Sequence, residues 1–250
     1  MTIAIVGCGN VAYHMGKNFS AAGVLINQIF CRKNKDAEFL ATLFNAKPIN
    51  QLDHIEADIV LICIKDDAVL SLIKELKNNQ PIIYTAGSIA INDITDKENV
   101  GVLYPLQSLR KDKTIDFKNI PLLIEANNSN FLKKIKLLAS KISDSVVEVN
   151  SDDRIKYHIA AVYLNNFVNH LAVVSKIHLD QNGLNWELMK PLIKQTMNAL
   201  LSEDPYYLQT GPAIRNDRST IEKHLILLNE EFHNLYRLIS TDIYKTHNNE

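Results

Sequence analysis

Glycine and cysteine are scarce in this chain, and neither sign of charge dominates. The 250 residues contain 8 glycines, about 3% of the chain against roughly 7% in average proteins. Three of the eight lie at positions 7, 9 and 16, so the clustering itself carries information. Lysine and arginine number 27 and aspartate and glutamate 28, for a net charge of −1. This balance gives no electrostatic case for a nucleic-acid partner or an anionic membrane surface.

Long hydrophobic runs are missing too, as is any metal-site or disulfide pattern of cysteines. The longest apolar run, residues 59–64, has the length of a strand and falls far short of the ~20 residues that span a bilayer. The first residues, MTIAIVGCGN, lack the basic segment of a secretory signal. The three cysteines are widely spaced and odd in number. We therefore expect a cytoplasmic protein with no membrane partner, no metal site and no disulfide framework.

The first half of the chain alternates short β-branched segments with amphipathic ones. Predicted strands occupy residues 2–6, 24–31, 59–64, 81–85, 100–104, 122–125 and 146–149. Predicted helices lie between them, one running to residue 22 and others at 35–44, 69–77 and 129–142. This alternation is typical of right-handed βαβ units in a doubly wound parallel sheet, so the predicted fold class is α/β.

The pattern changes near residue 150, beyond which almost no strand is predicted. Long helices are expected at residues 154–177, at 186–202 with a bend at Pro191, and at 219–244. We therefore place a boundary near residue 150, between an α/β domain of residues 1–150 and an all-helical domain of residues 151–250.

The strongest motif is a glycine loop between the first strand and the first helix. Gly7-x-Gly9-x-x-Ala12 permits a tight turn, close backbone approach to a pyrophosphate, and close packing of helix on strand. The amides of the helix N-terminus, with Asn10 and Val11, would face the anion. The alternative is a glycine turn in another α/β fold. The strand–loop–helix context favours a Rossmann-like NAD(P)-binding domain.

The end of the second strand indicates which dinucleotide is bound. NAD sites place an acidic residue there, about 20 residues beyond the glycines, to bind the ribose 2′-hydroxyl. This chain has Arg32 and Lys33 instead, and a basic pair suits a 2′-phosphate. The alternative is a solvated surface turn. We favour NADP, with NAD the less favoured cofactor.

The remaining strand ends are expected at the same edge of the sheet, where ligands bind in open α/β folds. Cofactor contacts are predicted for Ile64 and Lys65 and for Ala86 and Gly87. Substrate contacts are predicted for Ser88 and Gln107, although a purely structural role would explain these two residues equally well. For Lys65, a helix cap or an exposed turn is the main alternative.

The first long helix of the second half carries polar side chains within an apolar run. At ~100° per residue, His158, Asn165 and Asn169 fall on one stripe, with Asn166 and His170 on a neighbouring one. Hydrogen bonding between helices, or cover by a partner subunit, would also explain these residues. As a catalytic group, His158 could exchange a proton with a substrate, and Asn165 or Asn166 could polarise it.

A turn at residues 210–217 precedes the last helix. Thr210, Gly211 and Arg215 form a plausible substrate site for a carboxylate or phosphate. The alternative is a turn held by an ion pair between Arg215 and Asp217. The sequence from Ser219 to Glu222 predicts a capping box for the helix.

Apolar residues of the last helix recur at spacings of four and three, as in a heptad seam. They are Ile221, Leu225, Leu228, Phe232, Leu235 and Ile239. Packing within the domain is the default interpretation. A homodimer through the C-terminal helices is the alternative that we favour.

Several segments together carry a resemblance to a known family. They are GCGNVA at residues 7–12, YPLQ at 104–107, KYHIAA at 156–161, Asn166, GPAIRND at 211–217 and HL at 224–225. The chain resembles bacterial proteins that join an N-terminal Rossmann-like domain to a helical C-terminal domain of unknown function. These are grouped with pyrroline-5-carboxylate reductase, ketopantoate reductase and deazaflavin-dependent NADP reductase. The family usually has histidine in place of Tyr104 and glycine in place of Asn216.

The resemblance implies the fold and the class of cofactor but not the substrate. By analogy with pyrroline-5-carboxylate reductase, the turn at 210–217 would anchor the substrate and the last helices would form the dimer. Two functions remain open. The first is an NADP-dependent oxidoreductase that transfers hydride to or from a small anionic C=O or C=N compound, with Arg215 as the anion clamp. The second is an NADP(H)-binding sensor or regulatory protein without turnover.

Overall fold

The computed structural model describes residues 1–77 and 79–248. The last two residues of the predicted helical domain therefore lie outside the described part of the chain. The chain divides into two units, Met1–Asn165 and a second unit that begins at Asn166. We describe each unit by itself.

The first unit is built on one eight-stranded sheet. Its strands are β1 (Thr2–Val6), β2 (Leu25–Phe30), β3 (Lys47–Ile49), β4 (Ile59–Ile62), β5 (Ile82–Tyr84), β6 (Val100–Pro105), β7 (Leu122–Ala126) and β8 (Val146–Glu148). The strand order is β3-β2-β1-β4-β5-β6-β7-β8. The first six strands follow the 3-2-1-4-5-6 order of dinucleotide-binding sheets. The predicted fold class, a Rossmann-like α/β sheet followed by a helical region, is confirmed.

Helices cover both faces of this sheet. They are α1 (Asn10–Ala21), α2 (Asn34–Phe44), α3 (Asp66–Glu75), α4 (Ser129–Ala139) and α5 (Ser151–Ala161). Alternate residues of β1 enter different cores, with Ile3 and Ile5 on one face and Ala4 and Val6 on the other. Both faces of the sheet are therefore buried, which is why the sequences of its strands are continuous apolar runs.

Two features of the sheet differ from the prediction. The short edge strand β3 was not predicted, because it has only 3 residues, and two of them, Lys47 and Pro48, are rare in strands. The strand β7 runs antiparallel to β6, while β8 is parallel to β7. The sheet is thus mostly parallel, since hydrophobic patterning identifies a strand but does not encode its direction.

The first unit continues beyond the predicted boundary near residue 150. The last strand ends at Glu148, yet the helix α5 belongs to the first unit by its contacts. An ion pair between the Arg154 guanidinium and Glu125 on β7 ties α5 to the sheet. The chain changes from alternating strands and helices to helices alone near residue 150, whereas the first compact unit ends at Asn165.

The second unit is helical in the part that the structure describes. Its helices are α6 (Val168–Gln181), α7 (Lys190–Ser202), α8 (Arg218–Leu227) and α9 (His233–Asn248). Pro191 lies in the first turn of α7 and does not bend a longer helix, because a 3₁₀ turn precedes it. The predicted helix 219–244 is two helices, since Asn229 caps a new 3₁₀ turn after Leu228. The heptad seam is therefore interrupted.

Few side chains of the second unit are buried. Among its hydrophobic residues from 166 to 248, only Ala213 and Leu225 are buried in the isolated chain. Within the described residues, no helix combines the length and the apolar character that crossing a membrane requires.

Candidate functional site

The strand order opens a crevice at the carboxyl end of β1. The neighbours β2 and β4 lie on either side of β1, so the helices that follow diverge to opposite faces of the sheet. A cleft of about 730 Å³ lies there. Its lining combines the glycine loop with the ends of β2 and β4 and the start of α3, and includes Gly7, Cys8, Gly9, Cys31, Arg32, Lys33, Asp36, Ile64, Lys65 and Asp67. Many of the predicted cofactor residues therefore lie in one cleft.

Two glycines shape this cleft in different ways. Gly7 has a φ of +115°, and a Cβ there would overlap the backbone carbonyl of Cys63, so the loop must cross the end of β4 without a side chain. At Gly9, a Cβ would meet no atom within 4 Å. The space beside Gly9 is open, as an approaching pyrophosphate requires.

The N-terminus of α1 is left without an internal anion. Its N-cap is Gly9, which offers no side-chain cap, and the first turn contains no acidic residue. Asn10 accepts a hydrogen bond from the Lys111 amide (3.2 Å), and the Lys111 ammonium donates to the Cys8 carbonyl (2.7 Å). Lys111 adds positive charge beside the loop. Sequence patterns missed it because it lies 103 residues from Cys8.

The basic pair after β2 is exposed and lines the cleft. Within residues 1–77 and 79–248, neither Arg32 nor Lys33 forms an ion pair. Open space, uncapped amides and unpaired cations together fit a phosphorylated dinucleotide.

The structure overturns one expectation at this cleft. The sequence predicts no disulfide, yet Cys8 and Cys31 are joined as one, with their Cα atoms 6.0 Å apart. The spacing of 23 residues gave no signal, because the two cysteines meet only when β1 and β2 pair side by side. Cys63 is a free, buried thiol.

A second cluster lies at the end of β5. Ala86 and Gly87 are buried there. A Cβ on Gly87 would lie 3.0 Å from His158 Nδ1 and 3.1 Å from the Tyr104 ring. The Tyr104 hydroxyl is hydrogen bonded to His158 Nδ1 at 2.9 Å. The fold thus brings three residues from β6, α5 and the end of β5 to one point.

Tyr104 keeps its proton in this setting. Burial, and then the negative charge of Asp66, raise the pKa of Tyr104, while the Arg154 charge opposes them. A protonated Tyr104 can donate to His158 Nδ1, which would leave the proton of the neutral imidazole on Nε2. The hydroxyl therefore orients the imidazole.

The buried Arg154 fixes α5, one turn before His158. Its guanidinium donates to the Glu125 carboxylate and to the Ile89 carbonyl. Glu125 also accepts from the Ser151 amide (3.0 Å) and hydroxyl (2.8 Å). Arg154 is 1% exposed. Sequence analysis did not identify this anchor.

The predicted substrate residues of the first unit have protein partners. The Ser88 hydroxyl donates to Asp66 at 2.5 Å. The side-chain oxygen of Gln107 accepts from the Ser108 amide at 2.8 Å. Their roles as substrate ligands stay predictions.

The predicted polarising amides lie in an unusual turn. Residues Val162–Phe167 are π-helical, and this turn contains Asn165 and Asn166. The uniform 100° advance that placed His158, Asn165 and Asn169 on one stripe does not hold across a π turn, so that stripe was wrong. Both amides are exposed in the isolated chain, and their catalytic role stays a prediction.

The turn before α8 is organised by Asp217. This residue, rather than Ser219, caps the helix, accepting from the Thr220 amide at 3.1 Å, so the predicted capping box was wrong. Asn216 has a φ of +53°, a left-handed conformation that asparagine tolerates where the family has glycine.

The predicted anion site lies in the same segment. Arg215 forms no ion pair with any residue that the structure describes, Asp217 included. Thr210 borders an apolar pocket within the second unit, and Gly211 follows it. Their substrate roles stay predictions.

Comparison with known proteins gives two family matches. Residues 2–86 match the family described as NADP oxidoreductase, coenzyme F420-dependent, and residues 120–243 match a domain of unknown function, DUF2520. A comparison with curated proteins finds no match.

Solved structures extend the likeness over the whole chain. A Bacteroides fragilis protein assigned as an NADP oxidoreductase is 32% identical, with 98% of each chain covered and a TM-score of 0.90. Pyrroline-5-carboxylate reductase from Streptococcus pyogenes is 16% identical, covering 100% of this chain and 97% of that one, with a TM-score of 0.61. An imine reductase from Myxococcus stipitatus, in complex with NADP+, is 15% identical, with 100% and 93% covered and a TM-score of 0.68. The last two show a shared fold.

The resemblance drawn from the glycine loop and the helical half is confirmed. The match described as NADP oxidoreductase, coenzyme F420-dependent, covers the N-terminal part of the chain, and the DUF2520 match covers the C-terminal part. The chain is an oxidoreductase that belongs to the NADP oxidoreductase family.

Proposed function

We propose that this protein uses NADPH to reduce a small anionic C=O or C=N compound, or runs the reverse reaction with NADP+. The observation that carries the proposal is the Tyr104–His158 pair, which lies against Gly87 at the end of β5. The same edge of the sheet carries the dinucleotide cleft, because β5 neighbours β4, whose end lines that cleft.

The residues of the cleft supply binding and orientation. The open loop at Gly9 and the uncapped α1 suit the pyrophosphate, and Arg32 with Lys33 suits a 2′-phosphate. NADPH, when bound, supplies the hydride. The NADP+ complex of the similarly folded imine reductase supports this choice of cofactor.

The proton is the protein's own contribution. Reduction of C=O or C=N adds a hydride to carbon and a proton to oxygen or nitrogen. His158 is proposed to deliver that proton, held in orientation by Tyr104. The anionic group of the substrate is the part of the proposal that comes from the sequence alone.

Turnover on a substrate panel tests the proposal. NADPH consumption at 340 nm would be followed with small oxo-acids, phosphorylated carbonyl compounds and cyclic imines. Turnover on at least one carboxylate- or phosphate-bearing member, above its uncharged analogue, is expected. NADPH binding without turnover on every member would favour a sensor and contradict the enzymatic proposal.

Arg32→Ala tests the choice of coenzyme. The substitution should weaken NADPH binding about 10- to 100-fold, since a charge-assisted phosphate contact contributes roughly 1.5–3 kcal/mol. The affinity for NADH should change far less, because NADH lacks the 2′-phosphate. Calorimetric titration of both coenzymes measures the difference. Equal losses for NADPH and NADH would contradict the assignment of NADP.

A homodimer through the helices of the second unit is also proposed. Many of its large apolar side chains are exposed, among them Leu171, Leu188, Leu192, Leu201, Tyr207, Ile226 and Leu227. Leu201 is 87% exposed and Tyr207 81%, and large apolar side chains exposed in such number are expected to be covered by another protein. Light scattering should give twice the 28.3 kDa mass of the chain. A monomeric mass at micromolar concentration would contradict the dimer.

A further inference from the structure

The cysteine pair lies inside the proposed coenzyme cleft. Cys8 is the middle residue of Gly7-Cys8-Gly9, and Cys31 is the first residue after β2. Parallel pairing of Val6 with Phe30 at the ends of β1 and β2 brings the two cysteines together. Their Cα separation of 6.0 Å lies within the range of protein disulfides.

We propose that Cys8 and Cys31 form a redox-active pair, and that the disulfide form binds the coenzyme more weakly than the dithiol form. The effect on affinity rests on the proposed coenzyme site. The existence of the cysteine pair does not depend on that site.

The position of the bridge explains the direction of the effect. In a dinucleotide site, the glycine loop contacts the pyrophosphate, and the first residues after the second strand contact the adenosine ribose. Cys8 belongs to the first of these points and Cys31 to the second. A covalent bridge between them links the two contact points and fixes their separation, so the loop and the end of β2 cannot adjust independently to a bound coenzyme. Reduction breaks this link, so the loop and the end of β2 can move independently when the coenzyme binds.

The pair is accessible to an exchanging thiol or disulfide. Cys8 is partly exposed and Cys31 is buried, but both line the open cleft, so Cys8 is the sulfur that an exchanging thiol reaches first. Accessible disulfides of this kind are the labile ones, whereas buried structural disulfides resist reduction. The unpaired cations Arg32 and Lys33 on the same lining would attract an anionic disulfide such as oxidised glutathione.

The oxidant that we name is a low-molecular-weight disulfide. One cysteine thiolate attacks it and releases one thiol, which gives a mixed disulfide. The second cysteine thiolate then attacks the mixed disulfide, forms the Cys8–Cys31 bond and releases the second thiol. The two cysteine sulfurs lose two electrons, and the small disulfide gains them as two thiols. Two low-molecular-weight thiols reverse these two exchange steps and restore the dithiol form.

Cys63 provides the matched control within the same chain. It is buried at the end of β4, and desolvation raises the pKa of its thiol to about 12 despite a hydrogen bond with Thr85. A thiol of this kind stays protonated and does not exchange.

The experiment combines a thiol count with coenzyme titration. The protein would be equilibrated with dithiothreitol or with oxidised glutathione, and its free thiols counted after denaturation. We expect three thiols in the reduced protein, because the chain has 3 cysteines, and one thiol after oxidation. NADPH should bind the oxidised form at least tenfold more weakly, and dithiothreitol should restore the affinity. Peptide mapping should identify the linkage as Cys8–Cys31.

Single cysteine variants show which residues cause the redox dependence of NADPH affinity. Cys8→Ala and Cys31→Ala should each show the same NADPH affinity under both conditions, whereas Cys63→Ala should keep the redox response. Three free thiols after oxidation, or equal affinities of the oxidised and reduced wild-type protein, would overturn the proposed switch. A reduced protein that binds no NADPH would instead overturn the proposed function, and with it the effect on affinity. In that case the thiol count still decides whether the pair exists.

Discussion

Glu125→Ala should lower the free energy of unfolding of the first unit by about 3–5 kcal/mol, the usual effect of removing one partner from a buried ion pair. The Arg154 guanidinium, 1% exposed, would lose its carboxylate and keep only neutral partners. The Ser151 amide and hydroxyl would lose their acceptor as well. Urea denaturation followed by far-ultraviolet circular dichroism measures the loss.

An exposed ion pair of the same unit provides the control. Lys136 and Glu148 are 2.7 Å apart, and each side chain is about half exposed. Lys136→Ala should cost less than about 1 kcal/mol, because solvent screens such pairs. If Glu125→Ala costs no more than Lys136→Ala, α5 is not held by Arg154, and the orientation of His158 must have another source.

His158→Ala should lower kcat about 10²- to 10⁴-fold, the range that a positioned general acid contributes. The NADPH affinity should stay near the wild-type value, because His158 is not part of the cleft lining around Gly7 and Arg32. Tyr104→Phe should cause a smaller loss, since the imidazole remains but loses its hydroxyl partner.

His54→Ala provides the comparison for an imidazole outside the site. His54 is exposed on a short 3₁₀ turn before β4, and its backbone carbonyl accepts a hydrogen bond from the Gln28 side chain. Its kcat should match the wild type. A kcat of His158→Ala within about threefold of wild type, well below the usual contribution of a general acid, would remove His158 from the reaction.

The local parts of the cleft could be predicted from the sequence. The glycine loop, the basic residues after β2 and the ends of β4 and β5 each depend on a few consecutive residues. Their meeting at one edge follows from the parallel order of the strands. That is why Gly7, Arg32 and Ile64 were correctly expected to lie near one another, as the lining of the cleft shows.

Features made by distant residues could not be predicted. Tyr104 and His158 are 54 residues apart, and Glu125 and Arg154 are 29 apart. Such pairs depend on strand direction and helix placement, which hydrophobic periodicity does not encode. The break after Leu228 was missed for a different reason, because apolar residues continue at heptad spacing through it while Asn229 caps a new turn.

The edge strand β3 bears on how copies of this chain can meet. Pro48 gives it no backbone donor at its centre, and Lys47 beside it is charged and exposed. An open strand with a full set of donors is a template for aggregation, and proline and lysine are the residues that blunt it. This end of the sheet therefore resists growth by strand addition, even in a crowded solution where unfolded or newly made chains are close by.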